Sequence, residues 1–503
     1  MLRIIRKILS LPNPAQAWCK LVRQRAIRSG IPFLTALLAV FAGGHDSPAG
    51  EPSPDLGSME DDSYSIGSGA YNVVRGDFNN DGSDDLAVSV LGDDLVVILL
   101  NDGEGGFERG ASYWAGERPM CLLAEDLDGN GNLDLAVAAL DSDVLIIRRG
   151  FGDGTFGNPL VLPAGDFPEG VIAGDCNGDG HMDLCTSGAY SEDIAIYLDD
   201  GAGNFDGPAF FGIFGSPRTP EFGDFNEDGN LDIVVSLRWA IDELGILFGD
   251  GTGAFDSTIT LTIGRYPKES VVHDFNGDGH DDIATACRVE NSVGIIFGDG
   301  AGSFSEPVAV EVGEGPRHII SGDIDGDGVA EIVTTNHFGN SLSILVGDGS
   351  GGFPYRRDFE TGTGPHGLTM GDFDSDGKPD LAIVINGESR LSIVLDAKDD
   401  LTPLLASPED GAILQGAPLF RWKAVPGADA YEVVLYNSAD RLVWNEILQG
   451  RSEVLYEGPE FLSPGQTYRW SVREREQDTW KDLAPFFTFY KKSPRSSLAV
   501  PLP

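Results

Sequence analysis

Asp224-Phe225-Asn226-Glu227-Asp228-Gly229-Asn230-Leu231-Asp232 reads D-x-N-x-D-G-x-x-D, and the chain writes that pattern seven times. The other copies begin at Asp77, Asp126, Asp175, Asp274, Asp323 and Asp372, so successive starts lie 49, 49, 49, 50, 49 and 49 residues apart. A fixed period of this length marks a repeated structural unit, of which each loop is one corner.

The loop chemistry points to a hard cation. Oxygens at positions 1, 3 and 5 face one point when the chain curls, glycine at 6 permits the turn, position 7 offers its carbonyl, and an acid at 9 closes the cage. The first half matches an EF-hand loop, but the bidentate Glu at position 12 is missing. The first three ligand sets are Asp77, Asn79, Asp81 and Asp85; Asp126, Asp128, Asn130 and Asp134; and Asp175, Asn177, Asp179 and Asp183. The next two are Asp224, Asn226, Asp228 and Asp232, then Asp274, Asn276, Asp278 and Asp282. The last two are Asp323, Asp325, Asp327 and, departing from the pattern, Glu331; then Asp372, Asp374, Asp376 and Asp380. The alternative is an Asx-rich turn with no metal. Repetition at fixed spacing favours Ca²⁺, up to seven ions, over Mg²⁺, which keeps a small octahedral shell with several waters.

Residues 264–312 show the unit between loops. A short strand over Glu269–His273 leads into the loop, Asp282–Ala286 leaves it, Val293–Phe297 follows, and Pro307–Val312 ends the unit. Four short strands per repeat, with turn residues between them, predict a propeller blade. The seventh unit lacks a fourth strand, and Asp62–Ile66, ahead of the first unit, predicts the strand that completes it. The expected fold is all-β: a seven-bladed β-propeller over residues 61–396, followed by a small β-sandwich.

These loops, with third-to-fourth-strand turns such as Phe248-Gly249-Asp250-Gly251 and Phe297-Gly298-Asp299-Gly300, resemble FG-GAP repeats of the VCBS type, as in integrin α-subunit propellers and many secreted bacterial proteins. The resemblance covers about two thirds of the chain. It implies a calcium-stabilised propeller outside the cell, with the ion in a structural role.

Composition agrees with that setting. The chain has 503 residues with 34 Lys+Arg against 80 Asp+Glu, a net charge of −46. Such a surface disfavours nucleic acid and anionic membranes. Residues 1–42 hold seven basic and no acidic residues and end in the short apolar run Ile31–Ala42. They read as a signal peptide, or alternatively an N-terminal anchor. Cleavage would leave no membrane span and a secreted or cell-surface protein. Residues 43–60 are Gly/Pro/Ser-rich and read as a linker. Of five cysteines, Cys19 lies in the signal; Cys176 and Cys185 flank the third loop and are either bridged or separately buried.

Residues 402–490 carry no acid loop. Phe420-Arg421-Trp422, Pro426-Gly427-Ala428 and Pro464-Gly465-Gln466-Thr467-Tyr468 resemble a fibronectin type III-like module, and residues 491–503 read as a tail.

Topology places the acid loops and the third-to-fourth turns on one face, and the remaining loops on the other. The residue six before each first loop acid is Tyr71, Met120, Glu169, Arg218, Lys268, Arg317 and His366 in turn. Arg238, Trp239, Arg288, His337 and Phe338, from the second-to-third loops, and His318 extend a basic and aromatic arc over units four to seven. Arginine forks match carboxylates and sulfates, and flat rings stack on sugars. This arc is the candidate site for an acidic polysaccharide or an extracellular protein segment; the plainer alternative is solvated loop residues paired with acids such as Glu269 and Glu290. Arg75-Gly76-Asp77 is not an adhesion motif, because Asp77 is loop position 1. No nucleophile elbow, H-E-x-x-H or phosphate loop occurs, and His181 and His280 sit at loop position 7. The expected function is a non-catalytic calcium-binding module for extracellular binding or adhesion. The alternatives are a polysaccharide lyase or hydrolase using the arc, and a structural role in a surface layer.

Overall fold

Each acid loop runs into a six-residue strand, such as Asp232–Leu237 or Asp282–Cys287, in which every residue is buried. A strand covered on both faces reads as an unbroken run of small and apolar residues, which is how these segments read. The computed structural model describes residues 57–58, 62–238, 242–395 and 397, together with parts of 405–491. Among the described residues the chain is all-β apart from a single 3₁₀ turn at Asn386–Glu388. The signal, Cys19, most of the linker, the tail and Trp239 lie outside the described residues.

In the fifth repeat Pro267–His273, Asp282–Cys287, Ser292–Ile296 and Val308–Glu311 pair antiparallel in chain order. Five more sheets of the described residues repeat this order, and the sheet of the last repeat does so in its first three strands. Their inner strands are Ala70–Gly76, Pro119–Glu125, Pro168–Gly174, Pro217–Gly223, Pro316–Gly322 and Pro365–Gly371. Each inner strand touches the next in order, and the last touches the first. The fourth strand of the last sheet is Asp62–Ser65, which pairs antiparallel with Arg390–Val394. Gly57 and Ser58, expected in the linker, instead pair in parallel with Phe359 and Glu360 at the edge of the sixth sheet.

The apolar core lies between sheets rather than within them. Phe78, Val96 and Ile98 of the first repeat share a cluster with Leu122, Val137 and Phe156 of the second. A ring beside the loop acid packs edge-on against one from the next repeat: Phe78 on Phe156 at 5.5 Å, Phe225 on Phe304 at 5.5 Å, Phe275 on Phe353 at 6.0 Å. Phe373 of the last repeat meets Phe107 of the first at 5.7 Å in the same way. Each such pair contributes about 0.5–1.5 kcal/mol beyond its buried area. A backbone bond accompanies them: the N–H groups of Gly154, Gly302, Gly351 and Gly105 donate to the carbonyls of Phe78, Phe225, Phe275 and Phe373. Outer strands such as Ser257–Thr262 are largely exposed.

Farther along, Leu405–Ser407, Leu419–Trp422 and Glu453–Leu455 form a small sheet, and a larger one is built on Ala430–Asn437 and Thr467–Glu476. Phe420 of the first packs on Trp470 of the second, ring centres 4.9 Å apart, with Tyr431, Val433 and Leu435 beside them. The four described cysteines are free, so the bridge between Cys176 and Cys185 is not formed; both are buried in one apolar cluster.

Candidate functional site

The two ends of the inner strands carry the two candidate sites. At one end the acid loops fold on their own backbone. Asp77 accepts the N–H of Asp81 at 3.0 Å and of Gly82 at 2.9 Å, and Asp175 accepts those of Asp179 and Gly180 at 3.1 and 2.8 Å. Gly82 and Gly229 take φ of 95° and 84°, and position four is also left-handed, as at Asn80 and Glu227. The ninth-position acid is wholly buried: Asp232 accepts N–H bonds from Phe225 at 3.0 Å and Gly249 at 2.8 Å. Burial pushes Asp232 and Asp282 up to about 6. Position nine therefore braces the loop as well as facing its centre.

The donor set fits a hard cation. In the sixth loop Asp323, Asp325 and Glu331, and in the seventh Asp372, Asp374 and Asp380, bring carboxylate oxygens within 4.8 Å of one another. Glu331 fills the place of the usual Asp and accepts the Ile324 N–H at 2.9 Å, so its extra methylene is absorbed without losing the brace. Arg75-Gly76-Asp77 is held as expected: Arg75 pairs with Asp84, and Gly76 ends an inner strand.

At the other end, all seven residues that stand six before the loop acid line one cavity of about 50 Å³. The arc is thus a closed ring that also takes in Tyr71, Met120 and Glu169 from the first three repeats. Glu169 is its counter-ion: Arg218 Nη1 lies 2.9 Å from one carboxylate oxygen and Arg238 Nη2 pairs with the other. Sequence reasoning pointed instead to Glu269 and Glu290, because a partner in another repeat leaves no mark on local spacing. Arg317 donates to the Tyr71 hydroxyl at 3.2 Å, and Tyr71 lies over His366 with ring centres 3.7 Å apart.

Lys268 is 8% exposed and has no ion-pair partner among the described residues. Its ammonium sits 5.3 Å from the Tyr266 ring centre. Burial, then the guanidinium groups of Arg218 and Arg317, hold its pKa well below that of an ordinary lysine. His366 is 5% exposed, neither ring nitrogen makes a hydrogen bond, and burial holds its pKa well below the usual value.

A second layer follows along the strands. His318 Nε2 lies 3.3 Å from the Asn72 amide and 3.5 Å from Glu269, and burial pushes the imidazole down to about 4. It is a neutral cross-link, not a member of the cationic set. Burial, then the nearby Glu221 carboxylate, pushes Glu269 up to about 8; burial alone takes Glu221 to about 7.

Outside the ring, Tyr266, Arg288, Val289, Asn291, Glu314 and Phe338 line a recess of about 400 Å³. The Arg288 guanidinium lies between Phe338 at 4.6 Å and Tyr266 at 5.8 Å. Tyr266 is also 5.7 Å from Arg218, so this wall of the recess stands beside a ring arginine. His337 is half-buried, with Nδ1 3.4 Å from the Pro365 carbonyl oxygen and its ring 6.1 Å from His366. Tyr266 was missed in the sequence because it falls outside the six-before register.

Comparison with known proteins fits this architecture. Residues 77–137, 126–186, 274–334 and 323–383 match the FG-GAP-like repeat. No curated protein matches. Among solved structures, a protein from Lactobacillus plantarum is similar at 13% identity, over 67% of this chain and 92% of that one, with a TM-score of 0.45. A putative 6-phosphogluconolactonase from Bacteroides uniformis is similar at 11% identity, over 58% and 97%, with a TM-score of 0.43. The periplasmic gluconolactonase of Pseudomonas aeruginosa is similar at 15% identity, over 59% and 97%, with a TM-score of 0.42. Two of these three are described as enzymes, which corrects the expectation that this chain is not one; that reading is withdrawn. No helix among the described residues is long and apolar enough to cross a membrane. The chain carries FG-GAP-like repeats on a propeller of four-stranded antiparallel sheets.

Proposed function

We propose that this is an exported, calcium-stabilised propeller that binds an acidic glycan at the ring of residues opposite its acid loops. The observation that carries this reading is Lys268: a buried ammonium without an ion-pair partner among the described residues, between two arginines and facing a cavity. Burying a charge is costly unless it is paired. In a chain of net charge −46, an anion from outside is the group that would complete it.

Size narrows the ligand. The ring cavity of about 50 Å³ admits one carboxylate or sulfate group but not a sugar ring. The recess beside it, of about 400 Å³, has room for one, against Phe338 and Tyr266. Phe338, Tyr190 and Phe214 are 50%, 44% and 65% exposed on loops of this same face, and flat exposed rings suit pyranose stacking. An acidic protein segment would use the same cations, and a glycan array run beside acidic peptides separates the two.

In this reading the acid loops hold structural Ca²⁺, residues 61–396 form the seven-bladed closed ring, and residues 402–490 are a fibronectin type III-like module beside it. Export follows from the basic and apolar N-terminal segment. A second reading, catalysis on the bound glycan by lyase or hydrolase chemistry, has its own support: Lys268 and Glu269 are adjacent, both displaced from their ordinary pKa values, and both line the cavity.

The test is binding and turnover of uronate- and sulfate-bearing oligosaccharides, with and without Lys268→Met. Binding that weakens about tenfold or more in the variant supports the ring as the site. Product release by the wild type, lost in the variant, selects the catalytic reading. Equal binding by both proteins refutes the site.

A further inference from the structure

The second repeat departs from the rest in its acid loop, where Asn130 replaces the usual Asp at position 5, and at a position that packs beside that loop. Just before the third-to-fourth turn, the other repeats carry Leu100, Leu198, Phe248, Phe297, Val346 and Leu395; the second carries Arg149. The apolar side chain normally packs on a turn glycine of the following repeat: Leu100 on Gly154, Leu198 on Gly253, Phe248 on Gly302, Leu395 on Gly105. Arg149 takes the same place against Gly203, where its guanidinium leaves no room for a Cβ. From there it reaches back into its own acid loop. Nη1 lies 2.7 Å from Asp128 Oδ2 and 3.3 Å from Asp134 Oδ2, and Nη2 donates to the Gly203 carbonyl.

Two further facts bear on what this does. In loops one, three, four and five both oxygens of the ninth-position acid take backbone N–H bonds, as Asp85 does from Phe78 and Asn101. In the second loop Gly150 N–H serves Asp134 Oδ1 at 2.8 Å, and Arg149 takes Oδ2. The second loop also has carboxylates at positions 1, 3 and 9, the same set as loops six and seven. Among the described residues only loops six and seven bring three such oxygens within 4.8 Å. The turn is otherwise unchanged: Asp126 accepts the N–H of Asn130 at 3.1 Å and of Gly131 at 2.8 Å. The loop keeps its shape while its acids are drawn to a guanidinium.

We infer that Arg149 is a built-in cation that replaces calcium in the second repeat, so that this loop binds no metal. A guanidinium is permanently charged, and its planar fork matches carboxylates. A divalent ion at the loop centre would have to displace it or sit beside a like charge. The inference rests on the reading that the other loops take Ca²⁺, and it lowers the greatest number of ions from seven to six.

The test is calcium stoichiometry of the exported chain by equilibrium dialysis. Arg149→Leu, which restores the residue of the first and third repeats, should bind one more Ca²⁺ than the wild type. In the wild-type background Asp126→Ala, which removes the first acid of the second loop, should leave the count unchanged, whereas Asp372→Ala, the same change in the seventh loop, should lower it by one. Asp126→Ala keeps the question open to disproof if Arg149→Leu folds poorly. A wild type that loses one Ca²⁺ on Asp126→Ala, or an Arg149→Leu protein with an unchanged count, overturns the inference while leaving the calcium reading intact. No bound Ca²⁺ in any of these proteins overturns both.

Discussion

The inner strands run between two faces built on opposite rules. On one, nearly the same nine residues recur in every repeat, and each loop is closed by hydrogen bonds to its own backbone. On the other, seven different residues meet at one cavity and pair with partners from other repeats: Arg218 and Arg238 with Glu169, Arg317 with Tyr71. Repetition therefore builds a self-contained corner, and departure from repetition builds a site that exists only when the ring is closed. Arg149 shows the same rule on the acid face, where the one odd residue changes what the corner holds.

The comparison breaks most visibly if metal is removed. Each site at a hundredfold excess of Ca²⁺ over its dissociation constant contributes about 2.7 kcal/mol, so chelation should lower the unfolding midpoint by about 10 °C or more. Scanning calorimetry with and without chelator reads this, and a midpoint that does not move would make the acid loops bare turns. Glu169→Gln sharpens the other side. Removing the carboxylate from the buried Arg218 and the partly buried Arg238 should cost about 3 kcal/mol in denaturant unfolding while tightening anion binding, because the ring becomes more positive. Stability and affinity moving together would contradict its role as counter-ion.

The smallest effect concerns Glu269, which titrates at about 8 in the fold against 4.5 for an ordinary glutamate. The folded protein keeps a proton that the unfolded chain releases. The stability linked to this group is whole below pH 4.5 and is lost as the pH rises through 8. Glu269→Gln should flatten that part of the pH–stability curve, removing a slope of roughly 1 kcal/mol per pH unit. An unchanged curve would place its titration elsewhere.

Much of the fold could be read from the sequence, for a physical reason. The acid loop, the buried strand after it and the glycine turn are each specified within about fifty residues of chain, and the period repeats the information. Asp62–Ser65 was legible as the missing fourth strand because the last repeat lacks one. The ring register, six before each loop acid, was legible too. What was not legible depends on closure across repeats: the burial of Lys268, the pairing of Arg218 with Glu169 and the neutrality of His318. None of these leaves a local pattern, since each partner lies in another repeat or its setting is made by several repeats at once. Arg149 was hidden in another way, standing where an apolar residue was expected.

The pairing of Asp62–Ser65 with Arg390–Val394 bears on the order in which the protein is finished. Six of the sheets draw their four antiparallel strands consecutively from the chain, one of them adding Gly57–Ser58 at its edge, so each set of four can assemble while later residues are still being synthesised. The remaining sheet joins nearly the first described residues to nearly the last of the propeller. Its early strand must wait, exposed at one edge, until the last repeat arrives. Closing so long a loop adds little entropic cost beyond that of a moderate one, but it is slow. The seam between first and last repeats is the latch of the ring, the last part to form and the natural first place for it to open.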